Sequence, residues 1–149
     1  MSKKNKNFQI TKNFSYYELT KSQTALRHGI DNTPEFEHIK NMTHWCISLG
    51  QPLRDMIGMP ITVNNFFRTR ELNTEIGGAE NSQHMDGCSG DIEVVGMSNL
   101  DLYNIIKDHF VYDQLILEYH TVGDPDSGWV HVSFIDGDNR MQAFKIGCQ

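Results

Sequence analysis

The chain lacks a surplus of positive charge, a long apolar run and a cysteine framework, and each shortage closes off a class of function. A formal net charge of -6 argues against a general nucleic-acid binder, because neutralising phosphates needs a basic surface. The one basic cluster, Lys3-Lys4-Asn5-Lys6, reads as part of a flexible, solubilising tip over about residues 1–12. No apolar stretch follows it, so neither a secretion signal nor a membrane anchor is expected, and synthesis in the cytoplasm is. Cys46, Cys88 and Cys148 are odd in number and irregular in spacing, which suits a reducing compartment rather than a disulfide scaffold. Repeats, low-complexity segments and internal linkers are also lacking. What remains, at 149 residues, is one soluble globular domain over residues 1–149, large enough to bury a core without staples. Oligomeric state is left open.

Local patterns then predict the elements. Ser15 followed by Glu18 predicts a capping box opening a short helix, and Phe14 and Leu19 beside it predict that this segment docks on the domain. Thr33-Pro34 predicts an N-cap and first helical position. Ile39, Met42, Cys46, Leu49, Leu53, Met56 and Ile57 follow at helical spacing until Gly58 and Pro60 end the run. A short strand is expected at Ile61-Thr62-Val63, a turn at Gly77-Gly78 and a strand over Asp91–Val95. Ser98 with Asp101 predicts a second capping box and a helix to about Phe110. Strands are expected over Asp113–Tyr119, Trp129–Phe134 and Ala143–Ile146. Early helices and late strands give an α+β class, with a small, largely antiparallel sheet packed with helices.

Two segments carry chemistry. His84-Met85-Asp86-Gly87-Cys88-Ser89-Gly90-Asp91 sets an imidazole and a carboxylate around a glycine turn, with Gly87 and Gly90 letting the loop fold tightly. Trp129-Val130-His131-Val132-Ser133 sets a second imidazole in a strand, on the face it shares with Trp129 and Ser133. His84, Asp91 and His131 could supply the three N/O ligands of a catalytic zinc site, which keeps a fourth position for water. Such a site brings the pKa of water from near 16 to about 7. Two imidazoles argue against a calcium site, which prefers oxygen alone. Each residue taken singly has a plainer reading: a loop histidine, a strand-opening aspartate, and for Cys88 a small residue packed in a turn rather than a ligand.

The ordered series Ile61-Thr62-Val63-Asn64-Asn65-Phe66-Phe67-Arg68-Thr69-Arg70-Glu71-Leu72-Asn73, then Ile76-Gly77-Gly78-Ala79, then Ser82-Gln83-His84 and Asp91, is more specific than any of its parts. With Ala25–Pro34 and Pro52-Leu53-Arg54 upstream, it resembles the zinc D-Ala-D-Ala peptidases of the M15 family, above all the short bacterial and phage members, from about Phe14 to Phe134. The resemblance implies the fold shared with the hedgehog signalling domain, with zinc in a groove on an antiparallel sheet. It implies His84, Asp91 and His131 as metal ligands and a peptidoglycan stem peptide or cross-bridge as substrate. It further implies that Arg68 holds the substrate or polarises its carbonyl, and places Ser82 beside the substrate. The plainer readings are a surface ion pair of Arg68 with Glu71 and a turn-capping role for Ser82.

Many relatives carry a glutamate three residues before the last histidine ligand, where this chain has Gly128. Glu118 is the expected replacement as general base. His120 is an alternative on what reads as the same strand face, and Glu118 could instead orient His131. Asp113 reads as structural. The implied action is at the cell wall, and the lack of a secretion signal suits a phage lysis or virion-associated enzyme. The missing glutamate at 128 also leaves open a zinc-bearing module that binds without catalysing.

Overall fold

A computed structural model describes residues 7–149, and it is α+β as expected. Part of the tip expected over about residues 1–12 is ordered. Gln9–Thr11 form strand β1, paired antiparallel with β2 (Phe14–Ser15), whereas residues 1–6 lie outside the described part. Helix α1 (Tyr16–Thr20) follows, with the Ser15 hydroxyl accepting from the Glu18 N–H. The Glu18 half of the expected box is not made, and its Oε1 is buried without a partner. Phe14 and Leu19 are buried, so the segment does dock.

After α2 (Gln23–His28), helix α3 (Phe36–Trp45) begins later than Thr33-Pro34 predicts. Thr33 donates its N–H and hydroxyl to the Asp31 carboxylate, which closes a local turn instead of capping a helix. Glu35 is the N-cap, its N–H bonded to His38 Nδ1 at 3.0 Å. The expected long helix is also interrupted. Cys46–Gly50 form a π turn, and the Gln51 N–H reaches back to the Cys46 carbonyl before α4 (Gln51–Ile57) resumes. Pro52 supplies the reason: it has no N–H, and its ring would strike the carbonyl four residues earlier in an unbroken α-helix. Gly58 ends α4, as expected.

Strand β3 (Thr62–Asn65), helix α5 (Arg70–Ile76), β4 (Ser89–Glu93), α6 (Asn99–His109), β5 (Gln114–Glu118), β6 (Trp129–Ser133) and β7 (Gln142–Ile146) complete the chain. Helix α5, capped by Thr69, was not anticipated. The main sheet has the order β3-β4-β6-β5-β7, antiparallel except where β7 runs parallel to β5. One face carries Ile92, Leu115, Leu117, Val130 and Val132 into a core shared with Trp45, Phe66 and the α6 residues Leu102 and Ile106. Trp45 is the centre of that core. It packs edge-on against Phe14 and Phe66 and donates its indole N–H to the Val132 carbonyl at 3.2 Å. Truncating such a residue costs about 3–5 kcal/mol. The opposite face holds the site. Among the described residues no helix is long and apolar enough to cross a membrane.

Candidate metal centre

Sheet register brings the first two polar groups together. Asp91 on β4 lies opposite His131 on β6, and residues directly opposite on paired strands share a face. His131 Nδ1 and Asp91 Oδ1 are 2.9 Å apart. His84 arrives from a compact loop of successive turns over residues 82–88, begun by Ser82 Oγ accepting from the His84 N–H. Gly87 closes this loop at φ +75, and a Cβ there would lie 2.7 Å from the His38 carbonyl oxygen. Gly90 does not serve the turn as expected. It lies within β4, where a Cβ would meet the Phe66 ring at 2.7 Å. The three candidate ligands thus converge, with ligand atoms all within 4.8 Å of one another. The two imidazole rings stand 5.1 Å apart at 72°.

The hydrogen-bond chemistry tests whether a cation fits. His84 Nδ1 is 2.6 Å from the Phe66 carbonyl oxygen, and a carbonyl can only accept, so Nδ1 carries the hydrogen. Burial pulls the His84 pKa down and outweighs the Asp91 carboxylate that raises it, which keeps the ring neutral. Its Nε2 lone pair then faces Asp91 Oδ2 at 3.4 Å, two electron-rich atoms with no proton between them. A cation resolves that opposition. Ligand atoms at zinc-like bond lengths around a tetrahedral ion stand about 3.3 Å apart, close to the 3.4 Å between His84 Nε2 and Asp91 Oδ2. Two imidazoles and a carboxylate suit a transition metal such as zinc. The Phe66 carbonyl is the outer partner that orients the first ligand, and Asn65 Nδ2 reaches Asp91 Oδ2 at 3.4 Å. For Asp91, burial opposes ionisation, but the hydrogen bond with His131 at 2.9 Å wins and holds its carboxyl well below the usual range.

Arg68 is buried beside this cluster, with Nη2 3.8 Å from Asp91 Oδ2 and Nη1 bonded to Asn73 Oδ1 at 3.2 Å. The surface pairing with Glu71 is therefore corrected. Glu118 lies opposite Trp129, on the ligand face and diagonal to His131, a separation of about 7–8 Å between Cα atoms. Burial and the Asp91 charge raise its pKa, against the opposing pull of His131, Trp129 and Arg68. The Trp129 indole N–H lies toward this carboxylate without closing a full hydrogen bond.

His120 does not share that face. The strand ends at Glu118, Tyr119 turns into the left-handed region at φ 55, and the His120 ring is directed to the Ser127 carbonyl at 3.3 Å. At Gly128, where relatives place their glutamate, φ is +72 and a Cβ would sit 2.0 Å from the Glu118 carbonyl oxygen. No side chain fits there. Cys88 is outside the cluster, its thiol pKa pushed up to about 12 by burial. Asp113 is structural, gripped by Arg140 at 2.8 Å and Gln83 at 2.9 Å. Sequence reasoning missed the Phe66 carbonyl, Asn65 and Asn73. A backbone acceptor leaves no signal, and both asparagines read as ordinary polar residues.

A family profile described as Peptidase M15 matches residues 12–133. The chain is 35% identical over 81 residues to the zinc D-Ala-D-Ala carboxypeptidase of Streptomyces albus G. That stretch covers 54% of the present chain and 31% of the relative's length, so the chain corresponds to about a third of that protein.

Proposed function

The chain belongs to the peptidase M15 family, and on that footing we propose that it is a zinc-dependent peptidase acting on peptidoglycan stem peptides or cross-bridges. The observation that carries the reading is the neutral His84 ring, its Nε2 lone pair turned on Asp91 beside His131, an arrangement that suits a bound cation. His84, Asp91 and His131 would hold the zinc. When bound, zinc supplies a Lewis acid that polarises a carbonyl and acidifies water.

The protein's other groups take the remaining roles. The Glu118 carboxylate accepts the proton of the attacking water and delivers it to the leaving amine nitrogen. Its raised pKa and its place on the ligand face support this assignment, and the steric closure at Gly128 leaves the strand neighbour as the carboxylate at hand. Arg68 offers a buried guanidinium suited to a carboxylate or a polarised carbonyl oxygen of the peptide. Ser82 acts first as the cap of the His84 loop, its Oγ accepting from the His84 N–H at 3.2 Å, and a contact with the substrate is what the family resemblance adds. The action would be at the cell wall, in the manner of a phage lysis or virion-associated enzyme.

The test is the release of fragments from purified peptidoglycan, followed by mass spectrometry, together with metal content. His84→Ala and Asp91→Ala should lose both zinc and cleavage. Glu118→Ala should keep zinc and lose turnover by about 10²–10⁴-fold. A wild type that binds zinc but cleaves nothing would favour the non-catalytic module instead, and full activity in a metal-free variant would refute the mechanism.

A further inference from the structure

We infer that Asn73, given room by Gly78, is a positioning residue that holds the Arg68 guanidinium beside the metal cluster without cancelling its charge, leaving it to receive a carboxylate of the bound peptide. What Arg68 receives rests on the peptidase reading. How Arg68 is held does not.

A guanidinium taken out of water needs partners. Arg68 is 9% exposed, yet its carboxylate neighbour Asp91 is 3.8 Å away and already engaged by His131. Its Nε is buried with no hydrogen-bond partner. Orientation therefore comes from the Nη1 bond to Asn73 Oδ1. Asn73 is itself fixed, because it is 3% exposed, sits in α5 and donates Nδ2 to the Ala79 carbonyl at 2.9 Å. That donation settles which end of the amide meets Arg68, since only the amide nitrogen can donate to a carbonyl and the oxygen is left for the guanidinium.

Gly78 makes the contact possible. A Cβ there would lie 2.2 Å from Asn73 Oδ1 and 2.9 Å from Arg68 Nη1. Gly78 is outside the left-handed region, so the requirement for glycine is one of space and not of backbone conformation. The amide matters for a second reason. An aspartate at 73 would pair with the guanidinium and compete with any incoming anion, whereas a neutral acceptor takes one hydrogen and leaves the full positive charge.

The experiment compares wild type with Gly78→Ala, Asn73→Asp and Arg68→Ala. It reads the Kd of the zinc-loaded protein for N-acetyl-D-alanine, kcat and KM on peptidoglycan fragments, and the Arg68 Nε–H signal of the metal-free protein by NMR. Gly78→Ala removes no polar group, so bound zinc should stay at the wild-type level. Kd and KM should rise tenfold or more while kcat changes less than threefold, and the Arg68 signal should move. Asn73→Asp should raise Kd by at least as much. In an Arg68→Ala background, Gly78→Ala should add no further loss of probe affinity. An unmoved Arg68 signal, probe affinity within twofold of wild type in both variants, or an added loss in the Arg68→Ala background would each overturn the positioning role. A wild type that cleaves nothing, but whose Arg68 signal moves in Gly78→Ala, would overturn the peptidase reading and leave the positioning intact.

Discussion

Replacing Gly128 by alanine separates two costs that usually come together. The first is conformational: an L-residue held at φ +72 loses about 1–2 kcal/mol. The second is steric. The new Cβ would fall 2.0 Å from the Glu118 carbonyl oxygen and 2.8 Å from the His120 nitrogen, both backbone atoms that cannot rotate aside. Forcing such a contact costs about 1–3 kcal/mol more through displaced backbone. Gly123 is the matched control, with φ +90 and nothing within 4 Å of its Cβ position. At about 3 °C per kcal/mol for a domain of this size, Gly128→Ala should lower Tm by about 6–15 °C and Gly123→Ala by about 3–6 °C. Differential scanning calorimetry of the metal-free proteins at one pH measures both. Equal losses would refute the steric argument. The same argument predicts that Gly128→Glu does not restore turnover to Glu118→Ala, even though it recreates the relatives' spacing. Recovery of activity in that double variant would refute the steric closure at Gly128.

Two titrations and one substitution add independent checks. In the metal-free protein the Glu118 carboxyl should titrate above 4.5, because burial and Asp91 both disfavour its charge, and adding zinc should bring the value down. Carbon-detected NMR would show it, and a midpoint at or below 4.5 without metal would count against the site electrostatics. Asp91 has the opposite sign. Its folded pKa is depressed, so its stabilisation is complete above the unfolded value near 3.8 and is lost as pH falls toward the folded value. Acid unfolding of the metal-free protein should therefore be less steep below pH 3.8 in Asp91→Asn, and unchanged steepness would argue against the depressed carboxyl. Cys88→Ala should keep full zinc stoichiometry by atomic absorption, since the thiol contacts the Asp86 carbonyl at 3.9 Å rather than the cluster. Loss of metal there would make Cys88 a ligand.

Much of the fold is legible locally. The Ser98 cap of α6, the strands β5 and β6 and the Gly58 stop all follow from near neighbours in the chain, and they appear close to where expected. The expectations that failed did so where a competing local bond intervened. Asp31 claimed Thr33, Pro52 forced the π turn, and the left-handed Tyr119 ended the alternation that would have set His120 beside Glu118. Thr69 as N-cap and Glu71 in the first turn carry the local opening signal of α5.

For the site, the sequence by itself determined the candidate donor set, because residue type and order already name two imidazoles and a carboxylate, the first imidazole beside the glycine turn at Gly87. Only tertiary structure decided how those donors act. Asp91 meets His131 across 40 residues through sheet register, His84 owes its tautomer to a carbonyl 18 residues away, and Gly128 is closed to a side chain by the backbone of β5. Such contacts depend on which strands pair and in what register, and that outcome is settled by burying the apolar face of the sheet rather than by any spacing within the motifs.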